Sequence, residues 1–272
     1  MNSKRCLDSA RHDKYARRPQ IQTVRNFSRV SVTLHSVKPF LTANWRYLAM
    51  LNYIVDPRLI SPLVPIGTEI DYENGQTFLS IVGLLFLDTR LLGLPIPLHR
   101  NFEEVNLRFY VRKKSADTWR RGVVFVRELI PRRAIALVAR AFYGEPYVAL
   151  PMQHAIVDDG ARVSAEYSWR RGQKWESLNM SGTGEAHSIP AGSHAEFITE
   201  HHWGYTRVQA GCSEYRVEHP RWKMWNTNSF EFCADVATLY GEEFVETLGS
   251  PPRSAFIVDG SPITIQRRSI LL

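Results

Sequence analysis

The stretch Asn101-Phe-Glu-Glu-Val-Asn-Leu-Arg-Phe-Tyr-Val-Arg112 alternates residue by residue. Glu104, Asn106, Arg108 and Tyr110 fall on one face, and Val105, Leu107, Phe109 and Val111 on the other. That is the period-two pattern of a β-strand. The polar face has two readings. On an open sheet it is a solvated outer surface. In a closed barrel it lines a ligand cavity, where Glu104 and Arg108 could pair across the wall.

Further strand-like runs flank this one. Trp45–Val55 is aromatic and aliphatic, and Phe78–Asp88 is apolar enough to be buried on both faces. Val163–Trp169, Trp175–Met180, Phe197–Tyr205, Tyr215–Trp222, Ala255–Val258 and Ile263–Arg267 follow. Glu73-Asn74-Gly75 reads as a hairpin turn. Asp56-Pro57 reads as a helix start that Pro62 and Pro65 keep short. Gly241–Leu248 reads as a short helix stopped by Gly249. Lys113-Lys114, just before Ser115-Ala116-Asp117, reads as a solvated hairpin tip. Trp-Arg-Arg-Gly occurs at 119–122 and again at 169–172, both copies expected at strand ends. Together these runs predict one mostly-β domain, a closed barrel or curved antiparallel sheets with a few short helices.

The chain has 272 residues, 44% of them hydrophobic, with a formal net charge of +7. Residues 1–38 hold nine Lys/Arg and two Asp, so the whole net charge sits there and the remainder is neutral. We therefore expect a basic, disordered extension over 1–36 and a single barrel domain over 37–272. Nucleic acid is not an expected partner of the domain. Cys6, Cys212 and Cys233 form no paired framework, which points to free thiols in the cytoplasm. No apolar run reaches a membrane span. Oligomeric state stays open, a homo-oligomer included.

The segment Arg133–Met152, RAIALVARAFYGEPYVALPM, opens as an apolar strand that Arg140 interrupts. A guanidinium beside a buried strand is costly unless it meets an anion or a wet cavity. Gly144 and Pro146 turn the chain, and a second strand-like run, Tyr147–Val157, follows.

Ala-Ile-Ala, then Arg140, then five residues, then Pro146, resembles the active-site segment of the acetoacetate decarboxylase superfamily. In that superfamily two lysines follow the proline, and the first forms a Schiff base with a keto acid. Here those positions are Tyr147 and Val148. Arg46, Asp56 and Pro65 match a second superfamily spacing, with Arg46 at an active-site arginine. The superfamily's two glutamates would fall near Val82 and in Pro95–Pro97, where no carboxylate stands. Trp45-Arg46-Tyr47-Leu48-Ala49 and Asn101–Asn106, with the paired runs Phe197–Tyr205 and Tyr215–Trp222, resemble the YqjF-like family of domains of unknown function (family 2071). That resemblance implies the acetoacetate-decarboxylase-like barrel and brings no established reaction.

The expected ligand is a small organic acid or keto acid. Arg46, Arg140 and Arg108 are the candidate carboxylate binders. Tyr147, Tyr143 or Glu104 would supply a proton donor or base for lyase- or hydratase-type chemistry without an imine. The alternative is a non-catalytic binding or sensing domain on the same scaffold. Lys223, between Trp222 and Met224-Trp225, is the other lysine in apolar company. His201, His202 and His219 lack the companions of a metal site, and neither metal nor cofactor is expected.

Overall fold

The computed structural model describes residues 39–97, 99–116, 118–131, 144–209 and 211–271. Long strands come first: β1 (Leu41–Ile54), the short β2 (Glu69–Ile70), β3 (Phe78–Leu91), β4 (Leu94–Pro95), β5 (Phe102–Ser115) and β6 (Thr118–Ile130). Then come β7 (Tyr147–Ala149), β8 (Met152–Asp158), β9 (Arg162–Arg171), β10 (Lys174–Thr183) and β11 (His187–Ser188). The chain ends with β12 (Trp203–Val208), β13 (Gly211–Glu218), β14 (Lys223–Cys233), β15 (Ser254–Ile265) and β16 (Ser269–Leu271). Short helices interleave among the described residues: α1 (Pro57–Ile60), α2 (His194–Thr199), α3 (Val236–Tyr240) and α4 (Val245–Gly249).

Seven strands close a ring in the order β15-β1-β3-β5-β6-β12-β13. Closure is made where Val217 and Glu218 of β13 pair with Ile265 and Thr264 of β15. Every neighbour in the ring is antiparallel except β6 and β12, which run parallel at Trp203–Gly122 and Gly204–Val123. β14 pairs with β15 and leads out into a second layer, β14-β10-β9-β8.

The two layers explain why strands that alternate in sequence are buried on both faces. Val105, Leu107 and Phe109 of β5 pack outward against Tyr167, Trp169 and Leu178 of the second layer. Val82, Leu84 and Phe86 of β3, with Leu48, Tyr215 and Trp222, form the inner cluster. At about 25 cal/mol per Å² of apolar surface, burying both faces contributes far more than strand propensity does.

Local chemistry sets several boundaries. Asp56 caps α1 by accepting from the Arg58 backbone N–H at 2.9 Å, with Pro57 at the first helical position. Asn74 (φ +50°) and Gly75 (φ +78°) make the expected two-residue turn, closed by the Glu73–Gln76 bridge.

Four expectations are corrected. Phe197–Tyr205 is not one strand. Ser193 Oγ accepts from the Glu196 N–H at 3.2 Å, and Glu196 accepts from the Gly192 N–H at 2.5 Å. These bonds cap α2 at Ser193, and the strand begins only at Trp203. Tyr147–Val157 is broken at Leu150-Pro151 into β7 and β8. Ala255–Val258 and Ile263–Arg267 belong largely to one strand, β15, which bends at Gly260 (φ +78°). A Cβ there would run into the Trp45 carbonyl, so Gly260→Ala should cost about 2 kcal/mol in urea unfolding. Lys113 is not at a hairpin tip: it lies within β5, its ammonium 3.0 Å from the buried Glu214 carboxylate.

Candidate functional site

The alternation on β5 points Glu104, Asn106 and Arg108 into the ring, where they line a cavity of about 60 Å³. At roughly 10–15 Å³ for each water-sized group, this is room for on the order of four to six non-hydrogen atoms. Glu128 of β6 sits directly across from Asn106, and Tyr147 of β7 directly across from Glu128. Three adjacent strands therefore set Asn106, Glu128 and Tyr147 in one row on the wall. His201 and His219 join the lining, with Trp45, Phe86, Phe125, Trp203, Tyr215 and Trp222 as the aromatic remainder.

Asn106 Nδ2 donates to Glu104 Oε1 at 2.9 Å, and the Tyr147 hydroxyl donates to Glu104 Oε2 at 3.4 Å. Behind this row, Glu145 is buried and its Oε1 accepts from Thr206 Oγ1 at 2.7 Å. Asn106 Oδ1, Arg108 Nε, Glu128 Oε2, Glu145 Oε2 and His201 Nδ1 are buried with no hydrogen-bond partner among the described residues. Such atoms are rare in folded proteins and each is costly, so their clustering makes this cavity the candidate site.

Burial controls the acids. It lifts the Glu104 carboxyl from 4.5 to about 7; the Asn106 bond pulls it back and the charge of Glu145 adds to the rise. Glu145 is also lifted to about 7 by burial, against the Thr206 bond. Glu128 is pushed higher still, by burial and then by the charges of Glu145 and Glu104. The contact between Glu128 and Glu145 favours the neutral form of the first and the charged form of the second. Burial and the same carboxylates raise Tyr147 well above 10, so it stays a phenol and a donor.

Arg108 supplies the positive charge. Its Nη2 donates to the Ile198 carbonyl at 3.4 Å, and its Cζ stands 5.6 Å from the centroid of the Tyr110 ring.

Among the residues singled out in the sequence, Glu104, Arg108 and Tyr147 meet on this cavity. Arg46 does not. Trp45 and Leu48 point inward, and the irregularity between Arg46 and Ala49, with Tyr47 at φ +52°, leaves two residues between them. Arg46 lies instead with its Cζ 5.7 Å from the centroid of the Tyr47 ring. Arg46 is thus away from the lining of this cavity, and its expected partner on a shared carboxylate is Arg140. Arg140 and Tyr143 lie outside the described residues. Val82 does line the wall, at the place of an expected glutamate. The acids come instead from β5, β6 and the bend before β7. Glu128 interrupts the apolar run Val123–Ile130 just as Arg140 interrupts its own, and that signal would have found it. Lys223 is exposed at the start of β14 and does not reach the cavity.

His219 stacks on Trp222, centroids 3.9 Å apart, and on His202 at 4.4 Å. Burial lowers the His219 imidazole to about 4. Among the described residues, no group of three or more His, Cys, Asp or Glu is placed to hold a metal ion.

A closed barrel with a second sheet packed outside it and a polar cavity within is the acetoacetate decarboxylase-like architecture. The structure is similar to acetoacetate decarboxylase from Legionella pneumophila (TM-score 0.59, 12% identity, 86% of this chain and 87% of that one). It is equally similar to the enduracididine biosynthesis enzyme MppR, solved in complex with pyruvate (TM-score 0.60, 12% identity, 86% and 91%). At such identity the likeness is one of fold. The chain belongs to the family of domains of unknown function 2071, an uncharacterized conserved protein, whose model matches residues 42–262. It is 33% identical over 110 residues to the uncharacterized protein YqjF of Bacillus subtilis. That match spans 40% of this chain and 44% of YqjF, less than half the relative's length.

Proposed function

We propose that the barrel cavity binds a small organic acid, a keto acid among them, and moves a proton on it without forming an imine. Arg108 takes the carboxylate, since its Nε–H is buried without a protein acceptor among the described residues. Glu104, with a carboxyl near 7, and the Tyr147 phenol beside it are the proton-carrying groups. The observation that carries this reading is one guanidinium with an unused buried donor on the same strand face as a carboxyl poised near neutrality. MppR, of the same fold, was solved with pyruvate, and the cavity volume suits an acid of that size. None of the described residues lining the cavity is a lysine, which leaves imine chemistry no amine among them to start from. A purely binding or sensing role is the second reading, favoured by apolar Val82 at one expected carboxylate position. No helix among the described residues is long and apolar enough to cross a membrane. The unpaired Cys212 and Cys233 fit a cytoplasmic setting.

Calorimetric titration with pyruvate tests the reading. Saturable binding is expected, and Arg108→Ala should weaken it by about 2 kcal/mol, on the order of thirtyfold. Exchange of ligand protons for deuterium in D2O separates turnover from binding alone. Borohydride should trap no adduct, and a lysine adduct would restore imine chemistry and sink the proposal.

A further inference from the structure

A buried pair, Asp71 and the cavity-lining His201, is not used by the carboxylate and proton chemistry above. Asp71 Oδ2 accepts from Arg121 Nε at 2.6 Å, and His201 Nε2 lies 3.3 Å from the same oxygen. Burial alone would raise the Asp71 carboxyl, but the hydrogen bonds from His201 and Arg121 hold it below its ordinary value. Asp71 is therefore ionised and can only accept, so the hydrogen must sit on His201 Nε2. Nδ1 is then a bare lone pair. That atom is buried and has no partner among the described residues, on a side chain only 1% exposed that lines the cavity. A second proton on the ring is opposed by burial and by the nearby guanidiniums of Arg121 and Arg108. The ring is held by Tyr110 at 4.7 Å and Phe197 at 5.2 Å. Tyr110 also carries the Arg108 guanidinium, so the cation and the lone pair flank one aromatic ring.

We propose that His201 Nδ1, positioned by Asp71, is a hydrogen-bond acceptor for the ligand beside Arg108, which makes the favoured acid one bearing a hydroxyl beside its carboxylate. This rests on Arg108 binding a carboxylate. A 2-hydroxy acid offers Nδ1 a donor, whereas the carbonyl of a 2-keto acid turns lone pair against lone pair. An acid with neither group leaves Nδ1 unpaired, and sites built around a ligand hydroxyl reject such analogues strongly.

The test compares lactate, pyruvate and propionate by calorimetry on the full chain. The expected result is lactate binding at least tenfold tighter than propionate or pyruvate, with His201→Phe bringing all three within about threefold of one another. In parallel, nitrogen NMR on the wild type should show His201 protonated at Nε2 and bare at Nδ1, with the Nδ1 resonance moving on addition of lactate and not of propionate. This holds the test open if His201→Phe does not fold. If the wild type binds propionate as tightly as lactate, or the NMR shows hydrogen on Nδ1, the inference falls while the acid-binding reading stands. The same follows if His201→Phe keeps the preference. If none of the three acids binds, both fall.

Discussion

Glu104→Gln should melt well above the wild type at pH 8 and at the same temperature near pH 4. The unfolded chain titrates this carboxyl at its ordinary 4.5, whereas burial holds it at about 7 in the fold. Between those values the folded protein keeps a proton that the unfolded chain has lost, so stability falls as pH rises through that window and stays lower above it. At about 1.4 kcal/mol per pH unit, the ionised carboxylate costs on the order of 3 kcal/mol at pH 8. Glutamine cannot ionise and keeps an oxygen for the Asn106 amide, which now bonds Glu104 Oε1 at 2.9 Å. For a domain of this size the gain corresponds to roughly 6–12 °C. His201 and His219 act with the opposite sign. Their folded values near 4 lie below the ordinary 6.5, so they remove stability as pH falls through that interval. The alkaline limb of the wild-type profile is thus the part that the substitution flattens. Scanning calorimetry at pH 4, 6 and 8 reads the difference directly. Equal melting temperatures at pH 8 would mean that Glu104 ionises at an ordinary pH and that the cavity is wet.

The strand runs were legible because both faces of β3 and β5 are buried and the apolar residues betray it. The inward direction of Glu104, Asn106 and Arg108 was not. Alternation states that two faces differ, and only the second layer over Val105, Leu107 and Phe109 decides which face meets the cavity. Glu128 joins the wall through the pairing of β6 with β5, and Glu145 comes from the bend before β7, relations with no short-range signature. Arg46 shows the converse. Its spacing to Asp56 matches the superfamily pattern, yet spacing along a strand does not fix direction, and Trp45 takes the inward place. The start of α2 was written locally as Ser193-His194-Ala195-Glu196, an N-cap signal masked by the aromatic and β-branched residues that follow it.

The two Trp-Arg-Arg-Gly copies carry the same lesson to the largest stability loss we expect, in Arg171→Ala. In the first copy Trp119 is exposed beside Arg112, and Arg121 serves Asp71. In the second, Trp169 is fully buried and its indole N–H donates to Glu176 at 2.7 Å. Glu176 is 1% exposed, and its other oxygen accepts from Arg171 Nε at 3.0 Å. Arg171 also reaches Asp235 at 2.6 Å, tying β9 and β10 to the N-terminus of α3. Alanine at 171 strips the cation from a carboxylate that water cannot reach, which costs about 3–5 kcal/mol. Asp235 is exposed and loses little, because solvent replaces its partner. The penalty therefore belongs to Glu176, and adding Glu176→Gln to the same chain should return most of it, since the amide stays neutral and can still accept from Trp169. Urea unfolding of the wild type, both single variants and the double variant measures the coupling. A double variant no more stable than Arg171→Ala alone would place the loss in the packing of the arginine stem rather than in the stranded charge.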